Sequence, residues 1–270
     1  MTAQSKSNTA VSTSNDHPTP SLAGKYVVLV HPAWHSCGSH QVFVAQAQTY
    51  RALGAKVISL AVSDFPSWTE GSKSDQTYRA MTADLIADQR FYAGMPPSRI
   101  ATPRFVSAAF GWLRGDAATM LCETVSAAPL PDALLNLPQI DLIHCNHFFL
   151  MPAARQLKRN RPCPILLDTH DIQARQFALR NESRRLLPPK VRFETMLARE
   201  IAEMRDADLL IHLNDEEARD WQKLLPDARH ALIYPAIRSA PTGPGGSDII
   251  IVASANHPNY LSIKWFLQEV

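Results

Sequence analysis

The sequence predicts an α/β fold built on a doubly wound parallel sheet. Three observations lead there. Short β-branched, apolar runs such as residues 26–30 and 56–62 lack polar alternation and read as strands buried on both faces. Segments of helical period separate such runs throughout the chain. The opening unit over residues 26–62 is strand, loop, helix, glycine, strand, a βαβ crossover that joins parallel strands in the right-handed sense.

The elements follow in order. After the first strand, residues 31–39 form a loop with Pro32 and Gly38. From His40 the apolar positions Val42, Val44, Ala45, Ala47, Tyr50 and Leu53 suit a helix that Gly54 ends. Residues 56–62 are the second strand. The pattern is weakest over 64–115: a helix is expected within 75–92, prolines at 96, 97 and 103 break the chain, and 105–128 forms one or two helices. Strands resume at 140–144 and 165–168 around a helix over 152–159. Helices over 172–181 and 190–205 flank Pro188-Pro189. Residues 207–213 are a strand, Asn214 or Asp215 caps a helix to Leu224, and 229–234 is a short strand. Residues 239–247, mostly Pro and Gly, read as a linker. A strand over 248–252 and a helix capped by Asn259, with Trp265, Phe266 and Leu267, come next. The expected plan is a disordered leader over 1–22, a Rossmann-like domain over 23–237, a linker over 238–247, and the first strand and helix of a second, truncated Rossmann-like domain over 248–270, whose apolar side chains are left exposed.

Composition excludes several classes. The 270 residues carry 27 Lys and Arg against 25 Asp and Glu, a net charge of +2, so no global charge argues for nucleic acid. At 46% hydrophobic and 19% charged residues the chain can bury a core. No apolar run approaches the roughly 20 residues that cross a bilayer. The leader has neither the apolar segment of a signal peptide nor the Arg-rich pattern of a transit peptide, which points to a cytoplasmic protein. Cys37, Cys122, Cys145 and Cys163 are scattered, with no C-x-x-C pair, which suits a reducing compartment and argues against zinc.

In open parallel sheets ligands bind beyond the C-terminal strand ends, so the loops there carry the candidate site. The first, H-P-A-W-H-S-C-G-S-H over 31–40, has neither G-x-G-x-x-G nor G-x-x-x-x-G-K-[ST], so the dinucleotide and P-loop fingerprints are absent. Gly38 and Ser39 at the helix entrance can offer backbone N–H groups to a phosphate or sugar hydroxyl, or form a plain turn. His144 and His147, three apart, point to opposite faces of an extended chain and are poor joint metal ligands. Either alone can hydrogen-bond a sugar hydroxyl or phosphate oxygen, or simply pack. The sequence L-D-T-H-D over 167–171 gathers Asp168, His170 and Asp171. A carboxylate beside an imidazole can orient it or share base duty with it, while Asp171 can instead cap the following helix. Between 155 and 192, ten basic residues stand against three acidic ones, an excess of +7 that leaves the rest of the chain at −5. That stretch suits peripheral contact with an anionic membrane or a phosphorylated acceptor, or solvated helix faces; with Phe177 its one aromatic residue, single-stranded nucleic acid is disfavoured.

Four segments carry a resemblance. They are the strand, polar Gly/Ser loop and helix over 30–53; I-D-L-I-H-C-N-H (140–147) with L-L-D-T-H-D (166–171); residues 200–225 closing with I-Y-P-A-I (233–237); and I-I-I-V-A-S-A-N-H-P-N-Y-L-S-I-K-W-F-L-Q-E-V (249–270). In order and spacing the chain resembles the N-terminal half of a GT-B glycosyltransferase, most similar to retaining enzymes of glycosyltransferase family 4. Asn214, Ala236 and Ala253 depart from it, standing where Ser, Asn and Gly are usual. The resemblance implies transfer of a sugar from a nucleotide-sugar donor to a glycan or lipid-linked acceptor, for use in polysaccharide biosynthesis. The acceptor would bind this domain, and the donor a second domain whose diphosphate-binding residues would fall beyond Val270, leaving this chain inactive alone. By the same analogy His147, His170 and Asp171 are the catalytic candidates, and Gly38, Ser39, His144 and Asn256 the substrate-binding ones. No cofactor or metal is implied beyond the nucleotide-sugar co-substrate. A nucleotide-sugar epimerase and a non-catalytic module that binds a glycan or an anionic surface are the alternatives.

Overall fold

The computed structural model describes residues 21–159, 161–183, 190–235 and 257–270, with Gly246, Ile249 and Ile251 between the last two segments. Along the chain run β1 (Tyr26–Pro32), α1 (Gly38–Ala52), β2 (Lys56–Val62), α2 (Lys73–Met81), β3 (Gln89–Ala93), α3 (Pro103–Leu113), α4 (Ala117–Ser126) and α5 (Asp132–Leu135). They are followed by β4 (Leu142–Asn146), α6 (Met151–Lys158), β5 (Ile165–Asp168), α7 (Gln173–Ser183), α8 (Phe193–Met204), β6 (Leu209–His212), α9 (Asp215–Leu224), β7 (His230–Leu232) and α10 (His257–Glu269).

Seven strands form one sheet in the order β3-β2-β1-β4-β5-β6-β7, and every pairing is parallel. The chain winds outward from β1 to β3, returns to the middle, and winds the other way from β4 to β7. This is the doubly wound, Rossmann-like sheet that the sequence predicts, with its switch point between β1 and β4.

Both faces of the central strands are covered. Val28 and Val30 join Ile58, Leu60, Ile143 and Leu167 in a core closed by residues of α4, α6 and α8, whereas Val27, Leu29 and Val57 pack with Ala47 of α1. Alternate residues point to opposite faces, and both faces are apolar, so these strands read as unbroken apolar runs.

Two departures have physical causes. The helix expected within 75–92 stops at Met81, and Gln89–Ala93 is a strand. At the edge of the sheet β3 buries Tyr92 and Ala93 but opens with the polar Gln89 and Arg90, which hides it from a pattern search. The 105–128 window divides into α3 and α4 at Gly115, where φ is +93° and a Cβ would lie 2.7 Å from the Lys190 carbonyl oxygen. A side chain there meets both a backbone penalty and a clash.

The last helix begins at His257, two residues before the expected cap, and exposes Leu261, Trp265 and Leu267. Residues 1–20 of the leader, most of the 238–247 linker and most of the 248–252 strand lie outside the described residues. Among the described residues no helix is long and apolar enough to cross a membrane. No group of three or more His, Cys, Asp or Glu among them is placed to hold a metal ion.

Candidate functional site

The strand ends at the switch point open into a cleft of about 930 Å³. The loop after β1 brings Trp34 and the start of α1, Gly38 and Ser39; His147 follows β4; His170 and Asp171 follow β5; Asn214 follows β6. Five residues singled out in the sequence, Gly38, Ser39, His147, His170 and Asp171, therefore meet in one place. Asn256 lies outside the described residues.

His144 does not reach the cleft. It sits inside β4 in register with Leu29, on the α1 side of the sheet, where Tyr50 Oη at 3.0 Å and Gln46 Nε2 at 3.3 Å meet its two ring nitrogens. Burial lowers its pKa to about 4. The strand continues to Asn146, so a residue two positions earlier is core, and a sugar-binding role for His144 has no opening here.

His147 stands just past the strand with φ +69°, a region that L side chains rarely adopt, while its N–H still bonds the Asp168 carbonyl at 3.0 Å. Its ring stacks on His170 with centroids 4.0 Å apart, and Phe149 and Trp34 lie 5.4 Å and 4.9 Å away. The ring is buried, yet neither nitrogen finds a hydrogen-bond partner among the described residues. Desolvation, then the charge of His170, holds its pKa well below the usual 6.5, so the ring is neutral.

His170 is tied down from beneath. Its Nε2 lies 2.9 Å from Asn146 Oδ1, and its backbone N–H donates to Asp168 Oδ1 at 3.1 Å. Asn146 and Gln46 pair side chain to side chain, Nδ2 to Oε1 at 3.0 Å and Nε2 to Oδ1 at 3.2 Å, and Gln46 also donates to Asp168 Oδ2 at 2.9 Å. Burial lowers the His170 pKa to about 3 and raises that of Asp168 to about 7.

Asp171 does not cap α7. The fully buried Glu200, reaching over from α8, does so: its two oxygens accept the N–H groups of Gln173 at 3.0 Å and Ala174 at 3.1 Å. Desolvation pushes Glu200 up to about 8 against the downward pull of those donors. Asp171 is free of backbone duty, accepts from the Gln176 side chain, and is raised by desolvation with Arg180 opposing. At the other wall, Cys37 occupies the N-cap position of α1 without a side-chain bond, which leaves the Gly38 and Ser39 N–H groups in the cleft wall uncapped.

No protein-family model matches the chain, and no curated protein matches it in sequence. Among solved structures it is similar to the sucrose-phosphate synthase of Thermosynechococcus elongatus, at 15% identity and a TM-score of 0.44 over 78% of this chain and 48% of that one. It is also similar to UGT2 of Phytolacca americana, at 11% identity and a TM-score of 0.45 over 80% of this chain and 53% of that one. A UDP-glucosyltransferase from Polygonum tinctorium matches at 11% identity and a TM-score of 0.43, over 91% of this chain and 57% of that one. The chain spans about half the length of each of these three structures.

Several residues of the site carried no sequence signal. Gln46, Asn146 and Glu200 act through partners at least 24 positions away, which no local pattern reports. Trp34 lies in the first loop, and its indole N–H donates to Asp64 at 3.2 Å across the cleft wall, a partner 30 positions on. Three of the ten basic residues over 155–192 are paired with carboxylates: Arg155 with Asp206 at 2.9 Å, Lys158 with Asp208 at 3.0 Å, and Arg175 with Asp220 at 2.6 Å. All three acids lie outside the counted window, so the window overstates the local charge. Arg184 and Arg185 lie outside the described residues.

Proposed function

We propose that this cleft is the acceptor side of a glycosyltransferase, at which a hydroxyl of a glycan or lipid-linked acceptor takes a sugar from a nucleotide-sugar. The four-segment resemblance to retaining family 4 enzymes supports the reaction class, and one structural observation carries the site. His147 is buried with both ring nitrogens unpartnered. A buried polar group without a partner costs about 1–3 kcal/mol, and a ligand that supplies the partners recovers it. A neutral imidazole offers one donor and one acceptor, which is what a sugar hydroxyl complements.

The surrounding groups fit the same reading. Neutral His147 and His170 can accept a hydrogen bond from a hydroxyl, and Asp171, its pKa raised by desolvation and its side chain lining the cleft, is the group placed to take the proton. The uncapped N–H groups at Gly38 and Ser39 can hold an oxygen, and Trp34 offers an aromatic face to a sugar ring.

Cys37 supplies the test, because it lines the cleft while the other three thiols are buried. Alkylation of Cys37 would be followed during titration with UDP-, GDP- and dTDP-sugars and with neutral oligosaccharides. Saturable protection that disappears in His147→Ala supports the reading. If no member of either set protects Cys37, the reading fails. Protection without sugar release or transfer would mark a binding module.

A further inference from the structure

We propose that Asn146 is a positioning residue that fixes His170 as its Nε2–H tautomer, so that this ring meets a ligand in the cleft as a hydrogen-bond acceptor. The argument starts from two acceptors. The Val30 backbone carbonyl, 3.4 Å from Asn146 Nδ2, can only accept, and so can the Asp168 carboxylate, 2.9 Å from Gln46 Nε2, once it is ionised above its raised pKa of about 7. The carboxylate turns the Gln46 amide so that its Nε2 faces Asp168 and its Oε1 faces Asn146. That oxygen and the Val30 carbonyl together turn the Asn146 amide so that Nδ2 faces both. Asn146 Oδ1 is then left facing His170 Nε2 at 2.9 Å. An amide oxygen cannot donate, so the hydrogen in that contact belongs to His170.

The opposite tautomer fails at each step. It places a bare Nε2 against Asn146 Oδ1, two acceptors in contact inside a buried pocket. Rotating Asn146 to relieve this brings its Oδ1 toward the Val30 carbonyl and the Gln46 oxygen instead. Nδ1 of His170 makes no hydrogen bond among the described residues, so it carries the free lone pair on a ring that lines the cleft. A hydroxyl can donate to it. An ionised phosphodiester, which carries no O–H, brings only further acceptors.

The lock is a property of the protein without ligand. Its consequence for sugar transfer rests on the reading given above, and the test separates the two because it needs no substrate. With the full chain labelled with [15N]histidine, long-range proton–nitrogen correlation spectra distinguish a protonated, pyrrole-like ring nitrogen from a bare, pyridine-like one. The His170→Gln spectrum assigns the ring. At about pH 8.5, where Asp168 is ionised, the expected result is a pyrrole-like Nε2 and a pyridine-like Nδ1, in at least about tenfold excess, the ratio that one buried hydrogen bond sets. Asn146→Ala should convert these to averaged signals, while Asn146→Asp, which keeps an acceptor, should retain the Nε2–H pattern. Dimethyl phosphate, which has no donor, should leave the Nδ1 signal in place. Nδ1–H or an even mixture in the unmodified protein overturns the proposal, and so does an unchanged pattern in folded Asn146→Ala. An Nδ1 shift induced by dimethyl phosphate overturns its specificity. Should Asn146→Ala not fold, the unmodified and Asn146→Asp spectra decide.

Discussion

His147 stacks on His170 with centroids 4.0 Å apart and planes 11° from parallel, yet only His170 is anchored, through Asn146. Replacing His147 by Phe keeps the aromatic stack and removes two orphaned nitrogens, without changing a backbone strain that His147 already bears at φ +69°. Relieving a buried, unpaired polar group is worth about 1–3 kcal/mol, and about 2–4 °C in Tm per kcal/mol in a domain of this size. His147→Phe should therefore melt several degrees higher and lose ligand protection of Cys37. A lower Tm would mean that the nitrogens are satisfied in solution.

Acid should unfold the protein well before its carboxylates are neutralised. Desolvation, the largest cause in each case, lowers His31 and His144 to about 4 and His170 to about 3, and holds His147 well below 6.5. In the unfolded chain these imidazoles take up protons as pH falls through 6.5, and in the folded one they do not. Their stability is thus present above 6.5 and lost on the way down to 4. Asp168 and Glu200, raised to about 7 and about 8, act in the other direction, keeping protons in the folded state that the unfolded chain releases. His212 is lowered to about 4 by the same cause. Five rings against two carboxyls leave a net uptake of about two to three protons on unfolding near pH 5.5, or roughly 3–4 kcal/mol lost per pH unit, less what the raised Asp64, Asp171 and Glu217 return. Urea midpoints measured from pH 7 to pH 5 should fall accordingly; a flat profile would contradict the buried neutral state of these rings.

What was legible in the sequence follows burial. β1, β2 and the strands from β4 to β6 are covered on both faces or close to it, so composition alone marks them; β3, at the edge with a polar start, is not marked. The site was legible as loops, because strand ends at a switch point face the crevice whatever their residues, and that rule found His147, His170 and the Gly38–Ser39 entrance. It placed His144 there too, since the sequence does not show that β4 runs on to Asn146. The groups that orient the site were illegible. Glu200 reads as one more acid on an amphipathic helix until α8 is packed against the start of α7.

That packing yields a contrast between two acids. Glu200→Ala strands the buried N–H groups of Gln173 and Ala174, at about 1–3 kcal/mol each. Asp171→Ala removes a half-buried side chain that caps nothing, and should cost less than about 1 kcal/mol while weakening any ligand protection of Cys37. Denaturant unfolding of the two variants side by side checks this. Equal losses would return the capping role to Asp171.

Two glycines near the cleft should respond in opposite ways to the same added methyl group. A Cβ on Gly94 would stand 1.7 Å from the Trp68 carbonyl oxygen, a backbone atom that cannot swing aside. The loop that crosses Gly94 also carries Asp64 and Phe65 to the cleft, and is stitched in place by the Ser67 N–H bond to the Met95 carbonyl at 2.9 Å. Gly94→Ala should therefore cost about 3 kcal/mol or more and displace that wall. A Cβ on Gly38 meets no atom within 4 Å, and the residue does not sit at positive φ, so Gly38→Ala should leave stability within about 0.5 kcal/mol. Nothing among the described residues requires glycine at that first position of α1. If a ligand oxygen approaches the uncapped N–H groups there, the new methyl group intrudes on the ligand alone, and Gly38→Ala will unfold like the parent protein yet lose ligand protection of Cys37. Full protection in that variant would place the ligand elsewhere along the cleft.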